Sequence, residues 1–350
     1  MPQGEAASAP TASNGADESV LRIKNLKKYF PIERGLLRRV VGHVRAVDDV
    51  SLSIDSGKTL GLVGESGCGK TTLGRSIVRA IEPTEGSVEM TVDGETVDLT
   101  TLGSRTLRNF RRNIQMVFQD PYSSLDPRKT VLDIVGEPLR IHNISRGREL
   151  ETRVSELLEV VGLDLRHLKR YPHAFSGGQR QRIGIARALA LNPKVIICDE
   201  AVSALDVSVQ AQVINLLEDL QAEFGIAYLF IAHDLSVVEH ISDDVMVMYV
   251  GKVVETASSD ELFANPQHPY TEALMSAVPI ADPKRKLQEI SLDGEVADPA
   301  APPSGCYFHP RCRYAQDRCR TEAPELRQVS DGHMAACHFS EELDLRGVVA

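Results

Sequence analysis

The residues best suited to chemistry begin at 64–71, which read GESGCGKT. The spacing G-x-x-x-x-G-K-[ST] is that of a phosphate-binding loop. Its context agrees: residues 59–63 (TLGLV) are a short apolar run, and residues 72–81 carry apolar side chains at helical spacing. A glycine-rich turn between strand and helix lets backbone N–H groups curl around an anion, and the helix start adds partial positive charge. The amides of Gly64, Glu65, Ser66, Gly67, Cys68, Gly69, Lys70, Thr71 and Thr72 form the expected cradle. Lys70 is expected on the β- and γ-phosphates and the Thr71 hydroxyl on Mg²⁺.

Other polar residues stand where apolar runs end. Residues 114–118 (IQMVF) end at Gln119, placed to reach Mg²⁺ or an attacking water. Residues 195–198 (VIIC) end at Asp199 and Glu200, which points Asp199 at Mg²⁺ and Glu200 at water. Residues 203–206 (SALD) follow as a tight loop. Residues 227–232 (AYLFIA) end at His233, within reach of a γ-phosphate in the same scheme. Residues 175–179 (FSGGQ) open a further helix with Ser176 at the cap, then Gly177, Gly178 and Gln179. This is a second anion site by the same dipole logic, suited to a different nucleotide. An aromatic ending the first strand, Phe30 in preference to Tyr29, is placed to stack on adenine.

The elements that must position these groups follow from patterning. Residues 20–26 and 44–54 alternate as strands of an antiparallel pair, with 31–43 read as a loop. Residues 87–99 read as a hairpin about Asp93-Gly94. Residues 130–171 are helical, so an all-α insertion interrupts an α/β domain over about 130–190. Residues 245–249 and 252–255 are expected to close the sheet, and the nucleotide domain to end near 264. Residues 1–19, rich in Ala, Ser, Pro and Gly, read as a disordered tail, and 280–304 as a linker. The remaining boundaries are 265–340 for a C-terminal extension and 341–350 for a tail.

The 350 residues suit one large domain with an appendage, or two domains. A net charge of −10 argues against nucleic acid as a partner. The clusters Arg34, Arg38, Arg39, Arg45 and Arg105, Arg108, Arg111, Arg112 are read as solvated faces. No apolar run reaches the length of about 18 residues that a membrane helix needs. No secretory leader is visible at the N-terminus.

GESGCGKT, Gln119, FSGGQ, ICDE, SALD and His233 together, in that order, resemble an ABC-transporter nucleotide-binding subunit over residues 20–264. The tail narrows the resemblance. Residues 265–279 (NPQHPYTEALMSAVP), residues 118–128 and the cysteines near the C-terminus are similar to the ATPases of oligopeptide and dipeptide importers, most of all the F-type subunit. The resemblance implies a P-loop NTPase fold: a RecA-like α/β core, an antiparallel β subdomain and an α-helical subdomain, with a small cysteine-containing extension. It implies ATP and Mg²⁺ as ligands, with Asp206 among the nucleotide-contacting residues. It also implies a related second ATPase subunit, two membrane permeases and an extracytoplasmic peptide-binding protein. The location it implies is the cytoplasmic face of the membrane. Ala201-Val202 stands where many ABC proteins carry Pro-Thr.

Two other functions fit less well. Soluble ABC ATPases of ribosomes or DNA usually carry two cassettes or a long coiled coil, neither of which is present. A non-catalytic subunit would not need Glu200 and His233. Nickel-chelate importers share the architecture. Cys306, Cys312, Cys319 and Cys337 are separated by five, six and seventeen residues. Zinc usually shows a short C-x₂₋₄-C pair, absent here although His309, His333 and His338 lie near. A [4Fe–4S] cluster, seen in related importer ATPases, and free buried thiols are the other readings.

Overall fold

The computed structural model describes residues 19–35, 38–120, 124–277, 290, 292 and 294–347. Residues 1–18 of the expected tail 1–19, about half of the expected linker 280–304 and residues 348–350 lie outside these. Twelve strands fall in two sheets among the described residues. The smaller sheet is antiparallel, in the order β2 (Arg39–Asp55), β1 (Ser19–Arg34), β4 (Glu85–Val92), β5 (Glu95–Asp98).

The larger sheet runs β11 (Arg327–Ser330), β12 (His333–Ala335), β10 (Lys252–Ser258), β9 (Asp244–Tyr249), β3 (Thr59–Val63), β8 (Ala227–Ile231), β7 (Val195–Asp199), β6 (Ile114–Val117). From β9 to β6 all neighbours are parallel. Strands β3, β7 and β8 are buried at every position, which is why they read as unbroken apolar runs and not as alternation. Their carboxyl ends share one edge, where α/β sheets gather ligands.

Helix α1 (Lys70–Ile77) follows β3 and buries Leu73 and Ile77. Helix α2 (Ser104–Phe110) leads into β6. The helical insertion comprises α3 (Val131–Ile141), α4 (Gly147–Val160) and α5 (Gly177–Leu189). Ile134, Val135, Leu139, Val154, Leu158, Ile183 and Ala186 meet in its core. Next come α6 (Val207–Phe224), α7 (Leu235–Ile241), α8 (Ser259–Ala264), α9 (Pro269–Ser276) and the short α10 (Asp317–Thr321).

Three expectations are corrected. Much of the expected loop 31–43 is a ribbon, with Pro31 opposite His43 and Glu33 opposite Val40. Strand β1 loses β4 as a neighbour after Lys27, so Pro31 sits where one side of the strand is open and its missing N–H is tolerated. The sheet does not end at β10, because β12 pairs with it, Glu255 opposite Ala335. Arg111 is not merely solvated: its guanidinium donates to Val78 O and Arg79 O, at 3.0 and 2.5 Å, and so caps the end of α1.

Candidate functional site

The loop after β3 turns back on itself through three glycines in the left-handed region, Gly64, Gly67 and Gly69. At Gly69, the cap of α1, φ is +111°, and a Cβ would also lie 2.0 Å from Ala46 O of β2. Only glycine meets both conditions. The loop shapes Lys70, whose buried ammonium donates to Gly64 O at 2.6 Å and Glu65 O at 3.1 Å. A bound phosphate would compete for that ammonium. Cys68 is buried beneath the loop, and burial pushes its thiol pKa up. Ser66 and Gly67 are exposed at the rim, and Thr72 is half-buried.

The Thr71 hydroxyl donates to Asp199 Oδ1 at 2.8 Å. Asp199 is buried; burial pushes its carboxyl pKa up, against the Thr71 bond that holds it down. A hard divalent cation would relieve that cost. Mg²⁺ typically takes one or two protein oxygens and fills its shell with phosphates and water. The pair Thr71 and Asp199 fits that demand. Gln119, just beyond β6, donates from Nε2 to Glu200 Oε2 at 2.6 Å. His233, just beyond β8, places Nδ1 3.6 Å from the same oxygen. Glu200 has φ +49°, a left-handed backbone unusual for a side chain of its size, and its N–H donates to Ile231 O. Residues distant in the chain thus meet at the carboxyl ends of β3, β8, β7 and β6. The arrangement offers a cation site beside a carboxylate that can orient water.

The FSGGQ turn forms a separate feature. Ser176 caps α5 in a capping box: the Gln179 N–H donates to Ser176 Oγ, and Gln179 Oε1 accepts the Ser176 N–H. Both side chains are spent on each other and not on the phosphate loop. A Cβ at Gly178 would lie 2.2 Å from Val209 Cγ1, so α5 and α6 approach here only through a glycine. Asp206 caps α6, accepting from the Val209 N–H at 3.1 Å and the Ser208 hydroxyl at 2.8 Å. Those bonds, the hydroxyl's first, lower its pKa.

Tyr29 and Phe30 differ. The Tyr29 hydroxyl is tied to Asp48, whereas Phe30 is exposed with the Lys28 ammonium over its ring.

Cys306, Cys312, Cys319 and Cys337 are free thiols that line one cavity with Phe308 and Pro324. Its volume, about 20 Å³, is near that of a single water. Among the described residues no three His, Cys, Asp or Glu side chains group as a metal site. As placed, the donors support the free-thiol reading and not the [4Fe–4S] or zinc readings. Burial pushes the Cys306 thiol to about 11 and that of Cys312 to about 12.

Two residues that are not among the expected site residues touch the phosphate loop. Tyr270 and Arg311 both bond Glu65, from 205 and 246 residues downstream. At that separation no spacing could announce the contact.

Residues 47–203 match the family described as ABC transporter, and residues 254–319 match the oligopeptide/dipeptide transporter C-terminal region. The chain is 54% identical over 332 residues to the oligopeptide transport ATP-binding protein AppF of Bacillus subtilis, covering 94% of this chain and 99% of that protein. It is 50% identical over 318 residues to the dipeptide transport ATP-binding protein DppF of Haemophilus influenzae, covering 91% and 96%. Its structure is similar to the dimeric post-hydrolysis state of the ATP-binding cassette MJ0796 bound to ADP and Pi. That likeness has a TM-score of 0.58 and 29% identity, covering 68% of this chain and 98% of the other.

Proposed function

We propose, starting from the fact that this chain belongs to the ABC transporter family, that it is the ATP-hydrolysing subunit of an importer of di- or oligopeptides. The observation that carries the reading is the meeting of Thr71, Asp199, Glu200 and Gln119 at one edge of the parallel sheet. The phosphate-loop amides and Lys70 hold the triphosphate of ATP. Mg²⁺ would be held by Thr71 and Asp199, with Gln119 as a further candidate ligand, and would neutralise charge on the β- and γ-oxygens. Glu200 orients the attacking water, and His233 steadies the γ-phosphate. Such transfer needs position and charge stabilisation more than covalent help.

Ser176, Gly177 and Gly178 offer the start of α5 to the nucleotide of a second, related cassette, so two chains close head to tail over two ATP molecules. Phe30 stacks on adenine. Gln119 and the segment after it relay closure to two membrane permeases, fed by an extracytoplasmic peptide-binding protein. No helix among the described residues is long and apolar enough to cross a membrane, so this chain sits at the membrane through its permeases. The cysteine cavity has no part in these steps.

Glu200→Gln tests the core of the reading. The variant should bind ATP, turn over about 10²-fold or more slowly, and hold the closed dimer. Wild-type turnover would remove Glu200 from its role. Loss of peptide uptake when the subunit is omitted from the reconstituted complex tests the cargo, and uptake of a nickel chelate in its place would redirect it.

A further inference from the structure

The C-terminal region grips the phosphate loop at one residue. The Glu65 N–H donates to the Tyr270 hydroxyl at 2.8 Å. Arg311 lays a two-pronged guanidinium on the Glu65 carboxylate, Nη1 to Oε2 at 2.6 Å and Nη2 to Oε1 at 2.9 Å. The Arg311 side chain is 6% exposed and that of Glu65 26%, so water screens the pair weakly. The surroundings are firm. Tyr249 and Tyr270 pack with their rings tilted, 4.7 Å between centres, and Phe308 lies 5.3 Å from each. The Arg45 N–H donates to Pro299 O at 3.0 Å, tying the same region to β2.

A carboxylate is a poor neighbour for a triphosphate. Glu65 follows the first glycine of the loop, and its own carbonyl accepts from Lys70. Left uncompensated, its charge would repel the phosphates that the loop is shaped to hold. Arg311 cancels that charge with a fork matched to a carboxylate and draws it toward the C-terminal region. Tyr270 accepts the Glu65 N–H beside it.

We propose that Arg311 is a positioning residue of the ATP site: by neutralising Glu65, and with Tyr270 fixing the first turn of the loop, it lets the C-terminal region set the cassette's affinity for nucleotide. This rests on the ATP-site reading above. A mere staple holding the C-terminal region to the cassette would use the same contacts, so the test must separate charge from attachment.

The test measures binding of a fluorescent ATP analogue, and ATPase KM and kcat, on the full chain. The variants are Arg311→Ala, Arg311→Lys, Glu65→Gln and Glu65→Gln/Arg311→Ala, with Lys70→Ala as reference. Arg311→Ala should weaken nucleotide binding and raise KM about tenfold, within the usual range for coupled sites, with a smaller change in kcat. The loss should shrink as salt rises. Arg311→Lys, which keeps the charge and loses the fork, should fall between, and it carries the test if Arg311→Ala does not fold. The double variant should recover to within about threefold of wild type, because no unpaired carboxylate then faces the phosphates. A double variant as weak as Arg311→Ala would overturn the proposal in favour of the staple. Wild-type affinity in both Arg311→Ala and Arg311→Lys, with Lys70→Ala defective, would overturn it while sparing the ATP site. Wild-type affinity in Lys70→Ala would overturn both.

Discussion

The hydroxyl of Thr71 and the carboxylate of Asp199 are joined at 2.8 Å, linking the start of α1 to the end of β7. The bond sets two hard oxygens side by side, one of them almost wholly buried. Asp199→Asn keeps an oxygen for the Thr71 bond and removes the charge. ATP hydrolysis should fall about 10²-fold, and the Mg²⁺ needed for half of the remaining rate should rise. ATPase titrations against Mg²⁺ at fixed ATP check this; an unchanged Mg²⁺ requirement would take Asp199 out of the metal site.

Gly178 gives a second expectation, one that separates the two ends of the chain's chemistry. Its would-be Cβ lies 2.2 Å from Val209 Cγ1, and valine on a helix has little rotamer freedom with which to yield. Gly178→Ala should push α5 from α6, lowering ATP turnover about tenfold or more while nucleotide binding at Lys70 persists. Adding Val209→Ala should restore much of the rate. Comparing turnover and analogue binding in the single and double variants decides; no recovery in the double would argue that Gly178 acts by touching nucleotide instead.

The third expectation concerns acid. His268 is buried at the cap of α9, where Nδ1 accepts the Tyr270 N–H at 3.1 Å, and burial lowers its pKa to about 3. The unfolded chain takes up a proton at this residue near pH 6.5; the folded chain does not until about 3. Between those values the unfolded state binds more protons, so stability falls as pH falls. The contribution is whole above 6.5 and declines by about 1.4 kcal/mol per unit below it. His268→Asn, which retains a capping acceptor, should flatten that slope. Urea midpoints of both proteins at several pH values between 7.5 and 5 check it; parallel slopes would count against the assignment.

What could be read ahead of the fold was governed by burial and by chain distance. VIIC before Asp199 and AYLFIA before His233 announce themselves because central parallel strands are apolar on both faces and stop at the ligand edge. The ribbon through Pro31 and His43 stays hidden because it leaves the core, and its exposed faces erase the alternation that marks a strand. Glu255 is subtler. It interrupts the apolar run KVVETA, and it is wholly buried, accepting from the N–H groups of Gln267 and His268 and bonded to His333 at 2.7 Å. An acid inside an apolar strand hints at a buried partner, but nothing local names one 78 residues away. The cysteines show the opposite failure. Their chemistry suggests a metal, and their placement around a water-sized cavity does not provide for one.

Strand β12, three residues long, covers β10, and β11, four residues long, forms the outer border of the large sheet. Short border strands offer little template for a foreign chain. A protein truncated at residue 264 would instead bare the edge of β10 about Glu255 and Thr256, where β12 pairs with it in the intact chain. Such a fragment would retain every nucleotide motif yet tend to stick to its own copies. The last eighty or so residues therefore double as a hem, and an active minimal cassette would have to be made by redesigning that border, not by cutting.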